Sequence, residues 1–272
     1  MLRPLIVVKA TALVLASLLT AQTLAEEPGI FTPASPAAPP LRHYQLQLVQ
    51  AAPGKLDALH ARLRDHQMAL MSKHGVEAIG IFTPEGENPS RQVFVLVRFA
   101  DYEKSLIGWQ DFLADPEWKK VFDDSEKDGP LVEKAGRNHL RTVYYSPVFE
   151  VQTAEPARVF ELRTYRCPTK AKRGYLNKRF RDHTMKLFEK HGMENLLYWV
   201  PEDGPEADQM LVYLLAHKSV AAAKESFANF RQDPEWLTVK AKSEEQAGGS
   251  LTEKENGVMS LFLVPTEYSP LQ

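Results

Sequence analysis

Cysteine is almost missing from this chain: Cys167 is the only one among 272 residues. An oxidising compartment therefore gives it no intramolecular partner, and stability has to come from packing rather than from disulfides. Also missing are metal-spaced Cys/His clusters, phosphate-loop glycines, a Gly-x-Ser-x-Gly elbow and a dinucleotide fingerprint. Their absence weighs against an enzyme and offers no metal site. There is no excess of one charge: 33 Lys and Arg face 35 Asp and Glu, for a net −2. Nothing in that balance asks for nucleic acid.

No apolar run is long enough to span a bilayer, which takes about 20 residues. The nearest is residues 10–19, preceded by Arg3 and Lys9 and followed by Thr23-Leu24-Ala25. That pattern predicts a secretory signal over residues 1–25, cut after Ala25. A mitochondrial presequence and a retained anchor are the alternatives. Cleavage leaves no stable membrane span and a net charge of −4. Residues 26–42 carry Pro28, Pro33, Pro36, Pro39 and Pro40, a composition that suits an extended linker.

The remainder spells one unit twice. Arg64-Asp65-His66 returns as Arg181-Asp182-His183, and Lys73-His74-Gly75 as Lys190-His191-Gly192. Asp115-Pro116-Glu117-Trp118 returns as Asp233-Pro234-Glu235-Trp236, and Tyr145-Ser146-Pro147 as Tyr268-Ser269-Pro270. The order is preserved, and a unit of roughly 105 residues can enclose its own core. We assign module 1 to residues 43–150 and the better preserved module 2 to residues 156–270.

Hydrophobic period predicts the order β-α-β-β-α-β in each copy. In module 2 the strands are 159–166, 194–200, 209–216 and 258–264, with helices over 171–191 and from Val220 and Pro234. In module 1 the strands are 43–49, 76–83, 91–99 and 138–145, with helices over 53–74 and from Tyr102 and Pro116. This is an α+β, ferredoxin-like plan: a four-stranded antiparallel sheet with helices on one face. Two such modules bury their bare faces most economically sheet to sheet, as a pseudo-dimeric α/β barrel.

Most repeated residues read as architecture. His66 and His74, like His183 and His191, stand eight residues apart, about 12 Å along a helix, so one ion cannot take both. Leu59, Leu63, His66, Leu70 and His74 share one stripe, repeated by Leu176, Phe180, His183, Leu187 and His191. These histidines are expected in the core or at helix caps, the latter beside Gly75 and Gly192. Asp-Pro-Glu-Trp has the form of a helix start, with Trp118 and Trp236 packing inward. Tyr145 and Tyr268 are expected to cover the ends of the core. The run Lys170, Lys172, Arg173, Lys178, Arg179 and Arg181 is expected on a solvated helix face rather than around a phosphate.

Candidate ligand contacts lie on the strands. If Phe160, Leu162 and Thr164 point to the helices, then Glu161, Arg163 and Tyr165 point into the space between the sheets. Charged groups there need partners or a ligand. Trp199, Tyr213 and His217 could line the same space.

At these residues the chain resembles the NIPSNAP family. The likeness runs through Glu161-Leu162-Arg163-Thr164-Tyr165, Arg179-Phe180-Arg181-Asp182-His183-Thr184, Lys190-His191-Gly192-Met193, Tyr198-Trp199, Leu214-Leu215-Ala216-His217 and the Asp-Pro-Glu-Trp and Tyr-Ser-Pro motifs. Module 1 keeps fewer of them, with Phe82 where module 2 has Trp199. The resemblance implies a dimeric α/β-barrel fold. Combined with the signal, it implies an exported bacterial member, periplasmic or secreted, compatible with homo-oligomers. Two functions stay open. One is a non-catalytic module for an unknown small molecule or protein partner, needing no cofactor. The other, by analogy of fold, is a cofactor-independent monooxygenase or a haem-handling protein.

Overall fold

The computed structural model describes residues 41–272. The predicted signal and most of the predicted linker lie outside the described residues. Module 1 comprises β1 (His43–Ala51), α1 (Leu56–Arg62), a π-helical turn (Leu63–Gln67), α2 (Met68–Lys73), β2 (Glu77–Pro84), β3 (Gln92–Phe99), α3 (Tyr102–Ala114), α4 (Pro116–Ser125) and β4 (Val132–Thr142). Module 2 repeats it with β5 (Val159–Arg166), α5 (Lys170–Arg179), a π-helical turn (Phe180–Thr184), α6 (Met185–Lys190), β6 (Glu194–Pro201), β7 (Met210–His217), α7 (Val220–Gln232), α8 (Pro234–Gln246) and β8 (Val258–Pro265). Strand β4 starts earlier and stops earlier than its sequence suggests. Tyr145 therefore lies beyond the strand, in the turn that follows it.

All eight strands join one closed antiparallel barrel in the order β1-β3-β2-β8-β5-β7-β6-β4. The sheet-to-sheet expectation holds, with a specific closure: the fourth strand of each module pairs with the second strand of the other. Both seams are short. Phe82↔Pro265 to Pro84↔Leu263 forms one, and Leu140↔Pro201 to Thr142↔Trp199 the other.

The Tyr-Ser-Pro motifs extend these seams. Ser146 Oγ accepts from the Tyr198 N–H of β6 at 3.0 Å, and Ser269 Oγ accepts from the Ile81 N–H of β2 at 3.0 Å. The tyrosines reach further: Tyr145 OH donates to Asn177 Oδ1 at 3.0 Å, while Tyr268 OH and His60 Nδ1 lie 2.5 Å apart. Each module thus ends by clasping the first helix of the other.

The barrel interior is filled. Tyr44, Phe82, Phe94, Phe160 and Trp199 are buried there among Leu46, Leu96, Val212, Leu214 and Leu263. Truncating one such aromatic to alanine costs roughly 3 to 5 kcal/mol. Two further apolar layers lie between the sheets and their helices, one per module.

The π-helical turns correct the predicted histidine stripe. A π turn takes one residue more than an α turn, so the face that 3.6-residue spacing assigns to His66 and His183 passes elsewhere. Both are exposed. In module 2 the buried face runs Leu176, Phe180, Thr184, Leu187, Phe188, and Thr184 Oγ donates to the Arg179 carbonyl at 3.2 Å. Arg179 also departs from expectation: it is buried, with its guanidinium 5.0 Å from the Trp236 ring, as Arg62 lies over Trp118 in module 1.

His74 and His191 do serve as capping residues. Each follows the last turn of its helix and precedes a glycine with positive φ, +72° at Gly75 and +78° at Gly192. His74 Nε2 lies 2.6 Å from Asp115 Oδ2, and His191 Nε2 lies 2.8 Å from Asp233 Oδ2. The other carboxylate oxygen caps the next helix, accepting from the N–H of Glu117 or Glu235 at 2.8 Å. Hydrogen bonds from Lys73 and His74, or from Lys190 and His191, hold both aspartates well below the usual carboxylate range.

Candidate functional site

On β5, residues alternate between the barrel interior and the helices, and the phase is opposite to the one assumed from sequence. Phe160 and Leu162 join the interior core, so Glu161, Arg163 and Tyr165 face α5 and α7. The apolar strand residues fit the barrel better than the helix layer. That layer already holds Phe180, Phe188, Phe227 and Phe230.

Five of the six candidates meet there: Glu161, Arg163, Tyr165, Tyr213 and His217. Glu161, 1% exposed, is the hub. Its Oε1 accepts from Arg163 Nη1 at 2.5 Å and from Ser260 Oγ at 2.5 Å, and its Oε2 accepts from His217 Nε2 at 3.1 Å. Burial pushes the Glu161 carboxyl up, but these donors outweigh it and its pKa falls below the ordinary value. Arg163 continues the chain: Nε donates to Tyr213 OH at 2.9 Å, and the guanidinium lies 4.4 Å from the Phe227 ring centre. Tyr213 is fully buried, stacked on Tyr198 at 5.1 Å and beside Tyr165 at 5.5 Å. Trp199 is not part of this group. It points into the barrel, where its Nε1 has no hydrogen-bond partner among the described residues.

The network opens outward into a cleft of about 180 Å3 lined by Glu161, Arg163, Lys224, Phe227, Arg231 and Phe262. Lys224, Phe227 and Arg231 are spaced i, i+3, i+7 and so share one face of α7. That spacing was present in the sequence, but without the phase of β5 nothing tied it to Arg163. Ser260 and Phe262 reach the site from β8, opposite Arg163 and Glu161 in register. Arg163 spends Nε and Nη1 on protein partners and has Nη2 left over. Lys224 and Arg231 are exposed and form no ion pair among the described residues. His217 Nδ1 is buried without a partner among the described residues.

The duplication supplies an internal comparison. His43 pairs with Phe99 as Val159 pairs with His217, and the helix caps Asp101 and Ser219 follow at equal distance. Module 1 therefore has Gln45 and Gln47 for Glu161 and Arg163, and Leu106, Trp109 and Leu113 for Lys224, Phe227 and Arg231. Buried Gln45 accepts from Trp109 Nε1 at 2.7 Å. The Glu161–Arg163 pair and the two α7 cations belong to module 2 alone, while module 1 has Arg137 and His139 on β4 where module 2 has Ser260 and Phe262.

A larger cleft, about 460 Å3, lies at one barrel end beside Tyr44, Arg98 and Phe149. Its chemistry is less directed. Arg98 is closed off by Glu77, at 2.6 and 2.9 Å, and donates to the Phe149 carbonyl. We place the candidate site in the module 2 groove because its cations are left available. Cys167 is buried, which pushes its thiol up to about 11, so it is no nucleophile. Among the described residues no group of three or more His, Cys, Asp and Glu side chains is arranged to hold a metal ion, and no helix is long and apolar enough to cross a membrane.

A family model described as NIPSNAP matches residues 41–147 and 160–270. Among solved structures, a proposed monooxygenase from Lactobacillus acidophilus is 11% identical with a TM-score of 0.52, over 82% of this chain and 93% of that one. A proposed monooxygenase from Fusobacterium nucleatum is 10% identical with a TM-score of 0.54, over 83% and 92%. A NIPSNAP-like domain protein from Burkholderia xenovorans is 19% identical with a TM-score of 0.36, over 40% and 91%. No curated protein matches the chain. At these identities the first two likenesses describe the shared barrel.

Proposed function

The chain belongs to the NIPSNAP family, matched over both modules, and on that footing we propose that it is an exported, non-catalytic binding protein whose small-molecule ligand occupies the module 2 groove. One observation carries the reading: a buried hydrogen-bonded network, His217–Glu161–Arg163–Tyr213, ends in a cleft flanked by Lys224 and Arg231, which form no ion pair among the described residues. Binding sites combine apolar walls with a few fixed polar groups, and Phe227 and Phe262 supply the walls. Export rests on Arg3, Lys9 and the apolar run that follows them.

The monooxygenase names of the two barrel relatives support the alternative of an enzyme. Against it, the space between the sheets is occupied by Tyr44, Phe82, Phe94, Phe160 and Trp199. Glu161, the best-placed carboxylate, already accepts three hydrogen bonds and is poorly disposed to take a proton.

A thermal-shift screen of a metabolite library on the full chain tests the reading, followed by mass analysis of each hit after incubation. A hit should raise the melting temperature, lose its effect in Phe262→Ala and be recovered unchanged. Conversion of the hit to a new mass, or hits indifferent to Phe262→Ala, would replace this function with another. Export is checked by N-terminal sequencing of the secreted protein, which should begin at Glu26.

A further inference from the structure

We infer that the ligand of the module 2 groove is a small organic anion held by a carboxylate or phosphate group. This rests on the reading of the groove as the binding site and adds the chemical class of the occupant. Three cations, Arg163, Lys224 and Arg231, converge on the cleft against one carboxylate. That carboxylate is spent: Glu161 Oε1 accepts from Arg163 and Ser260, and Oε2 accepts from His217. Among the described residues two positive charges therefore face the opening without a counter-charge, and a cationic ligand meets no free acceptor in the cleft lining.

Arg163 is fixed for the task. Tyr213 OH, Glu161 and the Phe227 ring hold its guanidinium on three sides, and its side chain is 13% exposed. Nη2 is the donor that remains. A guanidinium held rigid loses little entropy when it donates to an oxyanion, and Lys224 and Arg231 close on the same group from α7. The cleft, about 180 Å3, lies below the roughly 300 to 1,000 Å3 of sites that enclose a whole drug-sized ligand. An anionic head group fits, with Phe227 and Phe262 flanking whatever short body follows. Module 1 is the contrast supplied by the molecule itself. With Gln45, Gln47, Leu106 and Leu113 at the equivalent positions, its groove lacks the Glu161–Arg163 pair and both helix cations, and carries instead Arg137 and His139 on β4 where module 2 has Ser260 and Phe262.

Isothermal titration of the full chain at low ionic strength with inorganic phosphate, and separately with succinate, tests the class and distinguishes its two sources. At least one anion should bind, more weakly in 0.5 M sodium chloride because the contacts are partly exposed (compare a Debye length of about 10 Å at 0.1 M). The double substitution Lys224→Ala with Arg231→Ala should weaken it by roughly tenfold, the sum of two exposed charge contacts. The melting temperature of the unliganded variant should stay that of the parent, since neither side chain has an ion-pair partner to lose among the described residues. Binding of neither anion, or equal affinity in the double variant, overturns the inference. If neither anion binds while a neutral compound binds the parent and not Phe262→Ala, the groove remains the site and only the anionic class falls.

Discussion

His191 Nε2 meets Asp233 Oδ2 at 2.8 Å, and through this contact two motifs more than forty residues apart become one structural unit. The aspartate is at once the N-cap of α8 and the anchor for the end of α6. Asp233→Ala should lower the melting temperature by roughly 5 °C, the scale of a lost N-cap in a protein this size. Asp115→Ala should do the same from module 1. Differential scanning calorimetry of both variants checks this, and an unchanged midpoint in either would contradict the dual role.

Arg163→Ala leaves Glu161 buried and short of its charged partner. We expect a loss of about 3 kcal/mol, the usual cost of breaking a buried ion pair from one side. The double substitution Glu161→Gln with Arg163→Gln, which installs the residues of module 1, should lie much nearer the parent. Urea denaturation of the two variants measures the difference. Equal losses would mean that the pair is not coupled.

Stability should fall on mild acidification. Burial lowers the pKa of His139 and of His60, with neighbouring charges contributing in both directions. A histidine depressed in the folded state takes up its proton more readily when unfolded, so its contribution is complete above pH 6.5 and is lost as pH drops below that value. Asp115 and Asp233, depressed by their hydrogen bonds, act in a separate window below pH 3.8. Melting temperatures between pH 7.5 and 5 should therefore decline, and His60→Asn with His139→Gln should flatten the decline. His60→Asn copies the Asn177 clasp of module 2.

Neither module should stand alone. A polypeptide of residues 156–272 would uncover Trp199, Leu214 and Leu263 and leave β6 and β8 without their seam partners. Light scattering should find it dimeric or aggregated. A stable monomer would argue that the barrel is dispensable.

The duplication and the element order were legible because they are written in motifs and in periodicity, which act locally. The histidine stripe was not. One additional residue within a helical turn rotates everything beyond it, and the letters of Leu63–Gln67 or Phe180–Thr184 do not announce a π turn. The face of β5 was misread for a related reason. Alternation gives a strand two faces but does not say which is inside, and both faces of this strand are covered. Glu161, Arg163, Tyr165, Tyr213 and His217 still came together because they share one parity across paired strands. Trp199 has the other.

Both copies carry the π turn at the same place, exactly where a helix gains a residue that most helices lack. Such turns are rare, and one insertion followed by duplication is simpler than two insertions at matching sites. A single module has a bare sheet that requires a second copy, and in an assembly of identical chains every substitution appears twice. One continuous chain is free of that constraint. Here one groove holds Glu161 and Arg163 while its twin holds Gln45 and Gln47, an asymmetry that a homodimer of identical chains has no means to encode.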